Sequence, residues 1–426
     1  MTKDNPKYTS YIKILEEELV PAMGCTEPIA LAYCAAKARE TLGQMPDRVV
    51  IGASGSIIKN VKSVIVPNTD HMKGIPAAAA AGIVAGDASR ELEVIASVSK
   101  EQIASMHQFL KDVPMTVEHV DNGLTFEIIV TVFKGEEYAK VRIVNYHTNI
   151  VLIEKNGKVL LEKPVEGEDE SGLTDRSILN IVDILDFAES VDVEDIKAVL
   201  DRQIQYNTAI SEEGLRGDYG SNIGKVLLDT YGDSSVMIRA KAKAAAGSDA
   251  RMNGCELPVI INSGSGNQGM TTSLPVIEYA KELDVTQEKL YRALAVANLV
   301  TIHQKTSIGR LSAFCGAVSA GAGAGAGIAY LQGADADGIS HTVANAIATT
   351  GGIVCDGAKA SCAGKIASAV EAGILGYNMH IRNQDFQPGD GLVGATPEDT
   401  IDNIGRLGKE GMKYTNEEII KIMVGE

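Results

Sequence analysis

Leu311-Ser-Ala-Phe-Cys-Gly-Ala-Val-Ser-Ala-Gly-Ala-Gly-Ala-Gly-Ala-Gly-Ile-Ala-Tyr-Leu-Gln332 contains no charged side chain. It is long enough to span a bilayer, but Ala and Gly supply little transfer energy. The reading that follows is a buried helix packed closely against its neighbours, since a glycine-rich surface lets backbones approach. Around this stretch, from Asp175 to the end, the apolar spacing is nearly all helical; Leu257–Asn262 is a strand-like exception that runs into a Gly loop. At the other end, residues 8–42 read as two helices broken by a turn. Tyr11, Ile12, Ile14, Leu15 and Leu19 recur at helical spacing, Pro21 and Gly24 stop the first helix, and Thr26 is placed to cap a second that Pro28 opens. Val49–Ala53 reads as a short strand and Pro76–Gly86 as an Ala-rich helix.

The pattern changes after about Leu92. Val94–Val98, Met115–Val120, Leu124–Phe133, Tyr138–Val144 and Ile150–Glu154 are Val/Ile-rich runs with turns such as Asn122-Gly and Asn156-Gly, and Gln102–Leu110 reads as a helix beside them. The acidic run Glu166-Gly-Glu-Asp-Glu-Ser reads as an exit linker. The expected fold is therefore mixed: a large, mainly α-helical domain from residues 1–91 plus 169–426, with a small inserted α+β domain at 92–168.

The 426 residues are ample for a core without disulfides. With 39 Lys and Arg against 56 Asp and Glu, the net charge of −17 argues against nucleic acid and against an anionic membrane surface as partners. The absence of Trp and the 4% aromatic content remove stacking platforms for single strands. The first 20 residues mix Lys, Asp and Glu with apolar residues and hold no continuous apolar core of a signal peptide, so a cytoplasmic location is expected. There the six cysteines would be reduced, which favours metal binding or catalysis over disulfides. A homo-oligomer is left open.

Four of those cysteines sit in unusual contexts. Cys25, in Met23-Gly-Cys-Thr-Glu-Pro28, is either a small apolar residue or a thiol activated by a helix N-terminus. Cys315, Cys355 and Cys362 follow a C-x39-C-x6-C spacing with Gly near each. Zinc ordinarily takes tighter pairs, and no ferredoxin run exists. The alternatives are buried structural cysteines, or three ligands of a [4Fe–4S] cluster with one open iron acting as a Lewis acid. Asn262-Ser-Gly-Ser-Gly-Asn-Gln-Gly269 matches G-x-G-x-x-G, but the helical pattern after it offers no second parallel strand. A backbone nest for a small carboxylate, with Ser265, Gly266, Asn267 and Gln268, fits better, beside a plain tight turn. Ser221-Asn-Ile-Gly-Lys225 could clamp a carboxylate through Ser221, Asn222 and Lys225, or be a solvated helix start. Asp249 and Arg251, in Gly247-Ser-Asp-Ala-Arg-Met252, could be an active-site ion pair or a cap. Lys359 and Lys365 raise a pyridoxal phosphate Schiff base, but nothing signals a partner for the pyridine nitrogen, so that cofactor is not expected. Ser56-x-x-Lys59 lacks the companions of a β-lactamase motif and reads as chance. His71 and His303 read as ordinary core or surface residues.

Pro21-Ala-Met-Gly-Cys-Thr-Glu-Pro28, Ser221-Asn-Ile-Gly-Lys225, Asn262-Ser-Gly-Ser-Gly-Asn-Gln-Gly269 and Cys355-Asp-Gly-Ala-Lys-Ala-Ser-Cys-Ala363 together resemble the L-cysteine desulfidase family (UPF0597-type proteins), related to the iron–sulfur L-serine dehydratase α chain. The likeness runs along nearly the whole chain. It implies a [4Fe–4S] cluster on Cys315, Cys355 and Cys362, and Cys25 as proton acceptor; Cys34 and Cys255 match no motif. It also implies a small amino-acid substrate and a lyase reaction: L-cysteine and water giving pyruvate, ammonia and hydrogen sulfide. L-serine dehydration is the alternative, and a sensor that binds a small ligand without turnover is a third reading. Glu27 or Lys359 would be the base if Cys25 held iron instead, and Asp356 is a further candidate site residue.

Overall fold

The structure is a computed structural model that describes residues 1–165, 173–309 and 312–424. Helix α1 (Pro6–Glu18) is capped by the Asn5 side chain and buries Tyr11, Ile14 and Leu15 completely. After the short strand β1 (Pro21–Met23), helix α2 (Thr26–Leu42) begins with Cys25 as its N-cap, so Thr26 opens the helix and does not cap it. Gly43, in the left-handed region at φ 84°, closes it. There follow β2 (Arg48–Ala53), α3 (Gly55–Val61), α4 (Gly74–Ala85), α5 (Lys100–Asp112), β3 (Met115–His119), β4 (Glu127–Lys134), β5 (Glu137–Val144), β6 (Ile150–Lys155) and β7 (Lys158–Glu162). The strands form one six-stranded sheet in the order β3-β2-β4-β5-β6-β7. β2 runs parallel to β3 and antiparallel to β4, and the other pairs are antiparallel. Ala139, Val141 and Ile143 alternate along β5 as fully buried residues, and α2 lies over β4 and β5. α4 packs on α2 so closely that a Cβ on Gly82 would fall 2.0 Å from the Ala32 carbonyl oxygen.

Two expectations are corrected here. The sheet reaches outside 92–168, because β2 sits between β3 and β4, and the apolar cluster it shares with α2 and α4 runs from Ile29 to Ile150. A strand whose partners lie more than 60 residues downstream shows no local sign of that pairing. Val94–Val98 is no strand: it follows a 3-10 helix at Ala88–Glu93, and Val94 and Ile95 are buried from a turn. The acidic run Glu166–Ser171 lies outside the described residues.

Beyond it come α6 (Ile181–Ser190), α7 (Val193–Arg216), α8 (Ile223–Tyr231), α9 (Val236–Met252), β8 (Pro258–Ile260), α10 (Gly266–Glu282), α11 (Gln287–Ile308), α12 (Gly316–Leu331), α13 (Ala336–Thr350), α14 (Cys362–His380), α15 (Pro397–Arg406) and α16 (Lys413–Val424). α12 is the buried Ala/Gly helix the sequence pointed to, wrapped by α10, α11, α13 and α14. Its glycines serve two faces. A Cβ on Gly321 or Gly325 would meet the carbonyls of Ala369 or Gly373 on α14 at 2.3 and 2.6 Å, and one on Gly323 would meet Thr301 on α11 at 2.1 Å. Gly321 meets Ala369 and Gly325 meets Gly373, so α12 and α14 run parallel with their N-termini at the same end. Among the described residues no helix is long and apolar enough to cross a membrane.

Candidate active site

The first turns of several helices converge on one cavity. β1 pairs with β8, Pro21 opposite Ile260, which brings the starts of α2 and α10 together; the Thr26 hydroxyl donates to the Gly264 carbonyl at 3.3 Å. Cys315 is the N-cap of α12, and Cys362 is the first residue of α14. Cys355 is held between them: the segments around Phe314 and Val354 form an antiparallel bridge, with the Cys315 N–H on the Ile353 carbonyl at 3.1 Å and the Cys355 N–H on the Ala313 carbonyl at 2.6 Å. The cavity, about 120 Å³, is lined by all three of these thiols, by Cys25, and by Ser265, the N-cap of α10. Four helix N-termini therefore face it, a field that favours anions. A larger cavity of about 530 Å³, beside His71 and His107, carries none of the thiols, so volume alone does not pick the site.

Cys25 is buried and its thiol donates to Glu27 Oε2 at 3.0 Å. Glu27 also accepts from the Thr26 hydroxyl at 3.1 Å and, at Oε1, from Asn60 Nδ2 at 2.9 Å. Burial, and then the Glu27 carboxylate, push the Cys25 thiol well above its ordinary range, against the pull of Arg251. Burial opposes ionisation of Glu27 as well. It is outweighed by His147, by the hydrogen bond from Cys25 and by Arg251, which hold the carboxyl below its usual value. The expectation of a Cys25 thiolate at neutral pH is thus corrected: the helix end is present, but burial beside an anion overrides it, and the resting pair is thiol and carboxylate. Lys59, 2% exposed, lines the same wall and donates to Asn416 Oδ1 at 2.6 Å and the Cys355 carbonyl at 3.3 Å.

The sequence profile of the serine dehydratase alpha chain family matches residues 89–421. A UPF0597 protein of Desulfitobacterium hafniense (strain Y51) is 58% identical over 426 residues, covering 100% of this chain and 99% of its own. Another from Lachnoclostridium phytofermentans is 54% identical over 98% of this chain and 100% of its own, and one from Treponema denticola is 46% identical over 100% of both. The chain belongs to the UPF0597 family. It carries a serine dehydratase alpha chain domain.

In this UPF0597 chain the expected thiols Cys25, Cys315, Cys355 and Cys362 do share one cavity, together with Glu27, Ser265, Asn267 and Gln268. Gly266 stands behind that wall, and a Cβ on it would fall 2.4 Å from Arg251 Nε. Ser221, Asn222 and Lys225 do not line the cavity. Asn222 accepts from the Tyr219 N–H at 2.9 Å and donates to Asp218, and Lys225 donates to the Gly217 carbonyl, so their polar groups close their own loop. Asp249 is the cap of the alternatives left open: its Oδ2 accepts from the Gly224 N–H at the start of α8 at 3.0 Å. Lys359 and Asp356 pair with each other at 2.9 Å and lie outside the lining. Lys365 also pairs with Asp356, so this ion cluster pins the loop that presents Cys355 and Cys362. His303 bonds Glu398 at 2.7 Å, away from the cavity. The 92–168 segment, which holds none of the candidate residues read from the sequence, takes part in the site: Phe126, Asn145 and His147 line the cavity. They also border an adjoining chamber of about 510 Å³. Lys59, Asn60, His147 and Arg251 had no usable sequence signal beyond the discounted Ser56-x-x-Lys59 and the undecided Asp249/Arg251.

Three cysteine thiols on one cavity are a donor set that fits an iron–sulfur cluster. Among the described residues, no three His, Cys, Asp or Glu side chains close on one point as a single ion needs. Thiols spread around a cavity suit a cluster whose irons each take their own cysteine. Gly316 and Gly357 flank the thiols without a Cβ, where one would meet Gln268 at 2.6 Å and the Lys59 carbonyl at 2.3 Å. Burial, and then Cys355, push Cys315 up to about 12, and burial raises Cys362. Metal binding would displace those thiol protons.

Proposed function

We propose that the chain is a lyase that eliminates the β-substituent of a small L-amino acid, L-cysteine first, giving pyruvate, ammonia and hydrogen sulfide. The observation that carries this is the meeting of three separate thiols with the Cys25–Glu27 pair in one cavity faced by four helix N-termini. The match to a serine dehydratase family favours L-serine as the second reading. Cys315, Cys355 and Cys362 would hold a [4Fe–4S] cluster, which supplies Lewis-acid assistance to the departing group. The protein's own residues do the rest. Glu27 takes the Cys25 proton across the existing 3.0 Å hydrogen bond, and the Cys25 sulfur then removes the Cα proton. Asn60 and Thr26 keep the Glu27 carboxylate oriented by their hydrogen bonds at 2.9 and 3.1 Å. The released aminoacrylate hydrolyses in water to pyruvate and ammonia.

The test is pyruvate release from β-substituted L-amino acids by anaerobically purified protein, alongside a count of iron and acid-labile sulfide. Cys315→Ser, Cys355→Ser and Cys362→Ser should each lower the iron content and abolish pyruvate release. Full iron and undiminished turnover in all three variants would refute the assignment.

A further inference from the structure

Resting on that reading, we propose that Arg251 recognises the α-carboxylate of the amino-acid substrate and that the amide oxygens of Gln268 and Asn60 receive its ammonium. Arg251 lies in the last turn of α9 and is 3% exposed. Among the described residues no carboxylate is in direct ion-pair contact with it, and Glu27 feels its charge only at longer range; its hydrogen bond runs from Nη1 to Asn267 Oδ1 at 3.2 Å, and Nε has no partner. A buried guanidinium left this way is costly, and buried polar groups in folded proteins are satisfied by protein, water or ligand. The neighbouring backbone is cut back to make room for it, since Gly266 is the residue whose Cβ would strike Nε.

Two further side chains on the same cavity are unsatisfied in the complementary sense. Gln268, 6% exposed, leaves Oε1 without a partner, and Asn60, 7% exposed, gives its Nδ2 to Glu27 and leaves Oδ1 without one. Both line the cavity with Arg251. A guanidinium with an unpartnered Nε and two unpartnered neutral acceptors on one cavity are the complement of a zwitterion: the carboxylate pairs with the guanidinium, and the ammonium donates to the carbonyl oxygens. A ligand that lacks either group would leave buried polar atoms unpaired, which is how such sites reject near-isosteres. Arg251 thus takes the role that Asn222 and Lys225, closed in their own loop, do not fill.

The experiment is calorimetric titration of the full-length, anaerobically purified protein with three probes. L-alanine has both charged groups but no β leaving group, propionate lacks the ammonium, and ethylamine lacks the carboxylate. The wild type should bind L-alanine more tightly than either fragment. Arg251→Met should weaken L-alanine and propionate by about 10- to 100-fold, the scale of a charge-assisted contact, and leave ethylamine unchanged. Gln268→Leu should weaken L-alanine and ethylamine and spare propionate. Arg251→Lys keeps the charge without the planar fork and should fall between wild type and Arg251→Met; it carries the test alone if Arg251→Met does not fold. Wild-type affinity for L-alanine in Arg251→Met or Arg251→Lys overturns the proposal. So does an equal loss for all three probes, or loss of bound iron from Arg251→Lys. Arg251-dependent binding of L-alanine by a protein that releases no pyruvate would uphold this site and reject the lyase reading. Pyruvate release with Arg251-independent binding would do the reverse.

Discussion

Cys25 and Glu27 share one proton across 3.0 Å, and the carboxylate is the side that gives it up in the resting protein. A base that must first hand its proton to a neighbour depends on that neighbour. Cys25→Ala should therefore keep the iron content and bind amino acid, yet lose exchange of the substrate α-proton with deuterated solvent. Glu27→Gln should slow the same exchange by roughly 10²–10⁴-fold, the usual worth of acid–base assistance. Exchange at the wild-type rate in Cys25→Ala would remove Cys25 from the reaction. Asp249 offers a separate test of burial. Burial lifts its carboxyl from 3.8 to about 6, against the N–H groups of Gly224 and Ile223 that favour the anion. The folded chain then holds this proton more tightly than the unfolded chain. Stability should fall as pH rises from about 4 to 6 and stay flat above, a change of about 3 kcal/mol at most. Asp249→Asn keeps an acceptor for Gly224 and should abolish that slope; denaturant midpoints at pH 4.5 and 7 measure it.

The parallel pair α12 and α14 carries Cys315 and Cys362 at neighbouring N-termini, so the spacing of the two helices sets the spacing of the two thiols. Gly321→Val should drive its side chain into the Ala369 carbonyl, cost about 1–3 kcal/mol by overpacking, and lower the iron content of the protein. Gly364→Ala is the control on the same helix pair: nothing lies within 4 Å of its Cβ, and the change should gain roughly 0.5–1 kcal/mol from helix propensity. A normal melting point and full iron in Gly321→Val would show that the helices have room to spare. Helix α12 was legible in the sequence because helical periodicity and glycine content are local properties, whereas its pairing with α14 was not. The division of α12's glycines between α14 and α11 was not, since it depends on which helices flank α12.

At the scale of the molecule, the site is a junction. Cys25, Glu27, Lys59, Asn60 and His147 come from the half of the chain that builds the sheet, and the cysteine trio, Arg251 and Gln268 from the helical half. Motifs rich in Cys and Gly stood out, but the residues alone left structural readings open and the family resemblance supplied their expected roles. Lys59 did not stand out, because a lysine in a helix reads as solvated until its burial is known, and Arg251 entered only as half of an undecided pair with Asp249. The partner of Lys59 was still further from view. Asn416 lies on α16, and this C-terminal helix packs across α3, with the Lys62 ammonium on the Met423 carbonyl and Ile420 against Gly55. α16 thus clamps the wall of the cavity from outside. Burial lowers the Lys59 pKa, so its ammonium depends on the acceptors it retains. Asn416→Ala would leave it the Cys355 carbonyl and should cost about 1–3 kcal/mol, the price of an unsatisfied buried donor. Asn416→Asp supplies a charged acceptor at the same place and should match or exceed the wild type. Urea denaturation of the three proteins ranks them. If Asn416→Ala is as stable as the wild type and Asn416→Asp is weaker than both, α16 is held by its apolar contacts alone and the ammonium does not tie it to the site.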